Sequence, residues 1–103
     1  MAVSARYPVV YVYDVNGALK DYRFTRHIWR RMQERRIPLR QVKAVLAYGS
    51  SRQSCSGVIR EVRRREVERC ALGGIALSGL EGIRVVHTLE GRVITVYRQC
   101  HEL

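Results

Sequence analysis

An α+β fold, in which a small antiparallel sheet packs against helices and a β-hairpin is added at the N-terminus, is predicted by three features of the 103-residue chain. Asn16-Gly17 is a tight-turn dipeptide between two runs rich in β-branched and aromatic residues. A second pair of such runs flanks Leu89-Glu90-Gly91, and the stretch between the pairs carries apolar residues at helical spacing. Consecutive hairpins favour antiparallel pairing with helices on one face, and so argue against a doubly wound fold.

The first hairpin is expected from residues 8–15 returning through 18–24. Thr25 can cap a helix that runs to about Arg36, where Ile37-Pro38 breaks it and the proline can occupy the first turn of the next. Leu39, Val42, Val45 and Leu46 recur at helical spacing, and Gly49 is a suitable terminator. Residues 49–57, bounded by glycine and serine and without an apolar period, read as a loop, and 58–62 as a short strand. In residues 63–72 Arg65 and Arg69 fall four apart, while Val67, Cys70 and Ala71 can form an apolar stripe, so a helix is favoured. Residues 73–82 are ambiguous. Residues 83–88 and 92–98 form the closing hairpin.

The bulk properties bound the protein. A single domain over 1–103 is expected, with 1–24 a hairpin extension and 25–98 the core, and its length allows a real core without a staple. Its 47% hydrophobic and 27% charged residues are those of a folded globular chain rather than a disordered one. The apolar runs fall well short of the roughly 20 residues needed to cross a bilayer, and the first ten lack a signal-peptide pattern, so a cytoplasmic address without membrane is expected. Cys55, Cys70 and Cys100 are widely spaced and lack a CxxC pair, which indicates neither a disulfide framework nor a zinc site. Cys100-His101 has too few partners for a metal, and no cofactor is called for. No Ser-His-Asp arrangement, Gly-rich phosphate loop or paired-carboxylate site can be read.

Charge is more informative. Nineteen Lys and Arg against nine Asp and Glu give +10, a density suited to a polyanion, and all of the basic residues except Lys20 and Lys43 are arginine. Guanidinium binds phosphate or carboxylate in a forked geometry and stacks on bases. The alternative is a solvated, salt-laced surface. Along the first helix, Phe24, Ile28 and Met32 advance by about 40° each, and with Trp29 they form the face that packs on the sheet. His27, Arg31 and Arg35 make a parallel stripe at its border, while Arg30 points into water. The like-charged Arg31 and Arg35 pair is mildly unfavourable unless an anion offsets it, or unless Glu34 or a later carboxylate does.

The run His27-Ile28-Trp29-Arg30-Arg31-Met32-Gln33-Glu34-Arg35-Arg36-Ile37-Pro38 resembles the His-x-x-x-Arg-x-x-x-Arg-Gly-Ile pattern of the bacterial family called domain of unknown function 4258. The closing Gly91-Arg92-Val93-Ile94-Thr95-Val96-Tyr97-Arg98 is similar to that family's terminal strand, and the resemblance covers about residues 24–98. Arg36 departs from it, standing where the family tends to have glycine. The resemblance implies distant kinship with the RelE and BrnT toxins, hence a RelE-like fold and a small basic ribonuclease held inactive by an acidic antitoxin.

Metal-free cleavage of RNA lets the 2′-hydroxyl attack the adjacent phosphorus, and needs a proton acceptor, stabilisation of the phosphoryl oxygens and a proton donor. The candidate catalytic residues are His27 as acid or base, Arg31 and Arg35 as a phosphate clamp, and Tyr97 with Arg98 if the last strand lies beside the helix. Strand alternation requires either Tyr97 or Arg98 to face away. Arg30, Arg36, Arg40 and Lys43 are the candidates for binding the rest of the RNA. His87 and His101 read as a strand residue and a terminal residue. Two other functions compete with the ribonuclease: a noncatalytic module binding nucleic acid or an acidic protein, and a homo-oligomer through the first hairpin, where Val9, Tyr11 and Tyr13 alternate with Val10 and Val12 to make both faces apolar.

Overall fold

The computed structural model describes residues 9–99; Cys100 and His101 lie outside them. The chain is α+β. A hairpin of β1 (Val9–Tyr13) and β2 (Leu19–Arg23) leads into helices α1 (Arg26–Glu34) and α2 (Leu39–Tyr48). Strands β3 (Ser50–Ser54) and β4 (Gly57–Glu61), helix α3 (Arg64–Leu72), and strands β5 (Ile83–His87) and β6 (Val93–Arg98) follow. The last four strands form an antiparallel sheet in the order β3-β4-β5-β6, and the first hairpin is a separate two-stranded sheet.

Alternation sets the two faces of the four-stranded sheet. In β5, Ile83, Val85 and His87 point to the core, and the register places Val96 opposite Val85 and Tyr97 opposite Arg84. One cluster joins Phe24, Ile28 and Met32 of the first helix region, Val42, Val45 and Leu46 of α2, and Val85, Val93 and Val96 of the sheet. Val10, Val12 and Tyr22 bring the inner face of the first hairpin into the same cluster.

Residues 49–57, expected as a loop, are a strand and its turn. β3 is Ser-Ser-Arg-Gln-Ser, an edge strand paired throughout with β4, so its hydrogen bonds come from the backbone while its side chains face water or the sheet margin. No apolar alternation was available to reveal it. Gly49 also ends α2 for a different reason from the one expected. Its φ is −73°, outside the left-handed region, but a Cβ there would lie 2.6 Å from the Val45 carbonyl oxygen and 2.8 Å from that of Glu61. Residues 73–82 are mostly turns, pinned by buried Leu77 and Leu80 and by a bridge between Val62 and Glu81.

The end of α1 shows how the chain closes a helix on a residue other than glycine. Thr25 caps the start, accepting from the Ile28 N–H at 3.3 Å. At the other end Arg36 turns into the left-handed region at φ 56°. Its N–H donates to the Gln33 carbonyl at 3.2 Å and that of Ile37 to the Met32 carbonyl at 2.9 Å, the paired bonds of a Schellman motif. Met32 and Ile37 are both buried in the core, which supplies the apolar clasp of that motif. A non-glycine residue pays about 1 kcal/mol in this conformation. Arg36→Gly is therefore expected to raise stability by about 1 kcal/mol and the melting temperature by roughly 4–8 °C for a domain of this size. Thermal unfolding followed by circular dichroism checks it; a lowered melting temperature would show that the arginine side chain outweighs the strain.

Candidate functional site

Helix α1 lies along β6. Arg23 bridges Arg92 just before the helix starts, and at its end the Arg35 Nη1 donates to the Val96 carbonyl at 2.6 Å, so helix and strand run side by side. The basic stripe thus borders the free edge of the sheet. Its members differ in how far they are committed. Arg31 pairs with Glu34 at 3.4 Å, both side chains about half exposed, an interaction worth a few tenths of a kcal/mol. Arg35 is held by β6. His27 and Arg30 are exposed, as are Arg36 at the helix end and Arg40 and Lys43 on α2.

The structure separates the two residues of the last strand. Arg98 pairs with Ile83 and shares the core-side parity of Val96, at the exposed end of the strand. Tyr97 faces the opposite side, where its hydroxyl accepts from the Arg84 Nη1 at 3.5 Å, away from the α1 stripe. On that side Glu61 holds two arginines: Arg63 Nε at 2.9 Å from Oε2, and Arg84 Nε at 2.9 Å from Oε1 as an ion pair without hydrogen-bond alignment. Burial pushes the Glu61 carboxyl up, but the Arg63 hydrogen bond and the charges of Arg84, Arg63 and Arg52 outweigh it and hold the group below its ordinary range.

A third arrangement unites the first hairpin with the sheet. Between β2, β3, β4 and the β5–β6 turn lies a cleft of about 590 Å³, lined among others by Lys20, Tyr22, Ser51, Gln53, Arg60 and His87. The cleft exists because β2 and the turn can touch. The Arg23 N–H donates to the Gly91 carbonyl at 2.8 Å, and Gly91 has φ +97° with no room for a Cβ, which would lie 2.5 Å from the Asp21 carbonyl oxygen.

His87 is buried in this cleft, 5% exposed. Its Nδ1 lies 2.7 Å from the Thr88 carbonyl oxygen, so Nδ1 carries a proton and donates it. Nε2 then has a free electron pair, and it accepts from the Arg60 Nε at 3.3 Å. The ring meets Tyr22 edge-on with centroids 5.1 Å apart. Burial pushes the imidazole pKa down, the Arg60 and Lys20 charges push the same way, and the Thr88 bond opposes them without prevailing. Tyr22 is pushed up by burial, against the Arg60 charge. The cleft therefore holds a neutral imidazole and a protonated phenol beside lysine and arginine.

Among the described residues no cluster of three or more His, Cys, Asp and Glu is placed to hold a metal, and Cys55 and Cys70 are free thiols, one exposed and one buried. No helix among them is long and apolar enough to cross a membrane.

Compared with known families, residues 24–98 match the model described as Domain of unknown function (DUF4258). The chain belongs to the DUF4258 family. No curated protein and no solved structure matches it. The DUF4258 match begins after β2, so Arg60 and His87 lie inside it while Lys20 and Tyr22 come from the added hairpin.

Sequence reasoning missed the cleft. It placed His87 as a strand residue, which it is, but the pairing of residues 60 and 87 depends on register, with Val58 opposite His87, and on no local pattern. One faint signal was present: a lone histidine follows Val85 and Val86 at the end of a β-branched run, where an aliphatic residue would pack more cheaply.

The buried imidazole gives a pH dependence of known sign. The folded state keeps His87 neutral below the ordinary value near 6.5, whereas the unfolded chain takes up a proton there. Stability is thus complete above that value and falls as pH drops below it. Glu61 titrates beneath this window. Urea unfolding between about pH 8 and about pH 5 should show the decline, and His87→Gln should flatten it; an unchanged slope in the variant would assign the dependence to another group.

Proposed function

We propose that this chain is a metal-independent endoribonuclease of toxin type whose active site is the His87 cleft. The carrying observation is the neutral imidazole, its Nε2 electron pair held by a guanidinium inside a cleft where Lys20, Arg52 and Arg60 stand against Asp21 and Glu90. In this reading an incoming phosphate draws Arg60 off Nε2, and the freed nitrogen takes the proton of the 2′-hydroxyl as that oxygen attacks phosphorus. The phosphorus bond to the 5′-oxygen breaks, leaving a 2′,3′-cyclic phosphate. Tyr22, kept protonated by its surroundings, is positioned to supply the leaving oxygen's proton, and Lys20 and Arg60 balance the charge on the phosphoryl oxygens. Exposed Arg30, Arg31, Arg36, Arg40 and Lys43 serve as phosphate contacts for flanking RNA.

Kinship with RelE and BrnT, a cytoplasmic site of action and an acidic antitoxin belong to this same reading, supported by the family resemblance and by the net charge of +10. A noncatalytic RNA-binding module is the second reading. What favours it is that Nε2 is already occupied by Arg60, which leaves the imidazole no free electron pair to take a proton.

Incubation of labelled RNA with purified protein and EDTA decides between them. Cleavage is expected, with His87→Gln lowering its rate at least about 100-fold, the usual worth of general acid–base catalysis, while His27→Ala changes it little. Full activity in His87→Gln with loss in His27→Ala would return the chemistry to the α1 stripe. Salt-sensitive binding with no cleavage would establish the second reading.

A further inference from the structure

Helix α2 has two working faces. Val42, Val45 and Leu46 are buried in the core, whereas Arg40, Lys43, Ala44, Ala47 and Tyr48 follow each other at i, i+3, i+4, i+7 and i+8 and so share one side of the helix. With Tyr11, Val12 and Tyr13 of β1 these five residues line a groove of about 290 Å³. Its floor is alanine and aromatic, and its charged members are both cations.

The other wall of the groove is a strand edge. β1 pairs only with β2 among the described residues. At one end of the ladder the Asp14 N–H goes to the Ala18 carbonyl, and at the other the Arg23 N–H turns away from β1 to Gly91. Between these limits the alternation of an antiparallel pair points the backbone groups of Tyr11 and Tyr13 outward from β2. Their side chains are 59% and 66% exposed, and Val15 and Leu19 beside them 60% and 54%. An edge left unpaired among the described residues is a template for an added strand.

We propose that the groove between β1 and α2 binds an extended segment of an acidic partner protein, which adds to β1 as a strand, lays apolar side chains on Ala44, Ala47 and Tyr48, and sets carboxylates against Arg40 and Lys43. Charge chooses this occupant over a second copy of the chain. Two copies would each bring a net charge of +10 and place their own Arg40 and Lys43 at the shared edge. This surface rests on the acidic partner of the preceding reading and not on the chemistry of the cleft. Both walls of the groove are needed, and β1 lies outside the DUF4258 match.

The probe is a labelled peptide of about seven residues alternating glutamate and valine, the length of an ordinary strand, with a lysine–valine and a glutamate–serine peptide as controls. Fluorescence anisotropy with the full chain is expected to show binding of the first alone. Nuclear magnetic resonance should place its amide shifts at Tyr11, Tyr13, Ala44 and Ala47, and Arg40→Glu with Lys43→Glu should weaken binding at least about tenfold. Equal binding of the lysine–valine peptide, shifts confined to other residues, or a dimer mass by light scattering that dissociates on Tyr13→Glu substitution would each overturn the proposal. Repeating the titration on His87→Gln separates the two readings: binding retained there while RNA cleavage is unaltered by the substitution would sink the cleft and leave the groove standing.

Discussion

The bond from the Arg23 N–H to the Gly91 carbonyl is the junction on which the arrangement turns. It joins the last residue of β2 to the turn that links β5 and β6, and it forms because residue 91 has neither a Cβ nor a preference for negative φ. Around it, Tyr22 reaches the edge of the His87 ring and Val10, Val12 and Tyr22 enter the common core. Without that contact the hairpin would be held by its packing on α2 and the common core alone, with no tie between β2 and the four-stranded sheet. With it, a DUF4258 domain gains a wall for a cleft that residues 24–98 alone do not complete.

The second constraint is the excess of arginine, and the structure shows that net charge overstates the free cationic surface. Arg35 is tied to the Val96 carbonyl, Arg60 to the imidazole of His87, and Arg63 and Arg84 to a single carboxylate, Glu61. Arg36 spends its backbone on a left-handed turn. These bonds are not equivalent. An exposed pair such as Arg31 with Glu34 yields easily to a competing phosphate, whereas Arg35 gives up a 2.6 Å bond to a main-chain carbonyl, leaving that acceptor to be satisfied by water. The stripe of His27, Arg31 and Arg35 is contiguous on the helix, but part of it holds the helix to the sheet.

What the sequence made legible follows from where the apolar residues are. Phe24, Ile28 and Met32 are spaced for a helix, Val10 and Val12 for a strand, and Asn16-Gly17 for the turn of a hairpin, so those elements could be placed from pattern alone. β3 could not, because an edge strand of serine, arginine and glutamine is specified by the backbone of β4 and carries no burial signal. The candidate site was divided in the same way. The stripe on α1 is local and visible, and so was the rule that Tyr97 and Arg98 oppose each other. The His87 cleft draws on residues 20, 22, 60 and 87, brought together by sheet register and by one glycine, neither of which leaves a periodic trace.

The first hairpin lies outside the family match, and its two strands line different surfaces. β2 supplies Lys20 and Tyr22 to the cleft, and β1 supplies Tyr11 and Tyr13 to the groove against α2. The strands are cross-paired from Val9 with Arg23 to Tyr13 with Leu19, so neither edge shifts without the other. On the β1 side the hairpin rests on α2 through buried apolar side chains; on the β2 side it meets the sheet through the Gly91 junction and the edge of one imidazole. The α2 side opens at its margin into the groove beside Ala44 and Ala47, whereas the junction admits no atom larger than hydrogen at residue 91. The cleft is consequently the more exacting of the two surfaces, set by a close backbone approach, and the groove the more tolerant, set by a strand edge and a row of small side chains.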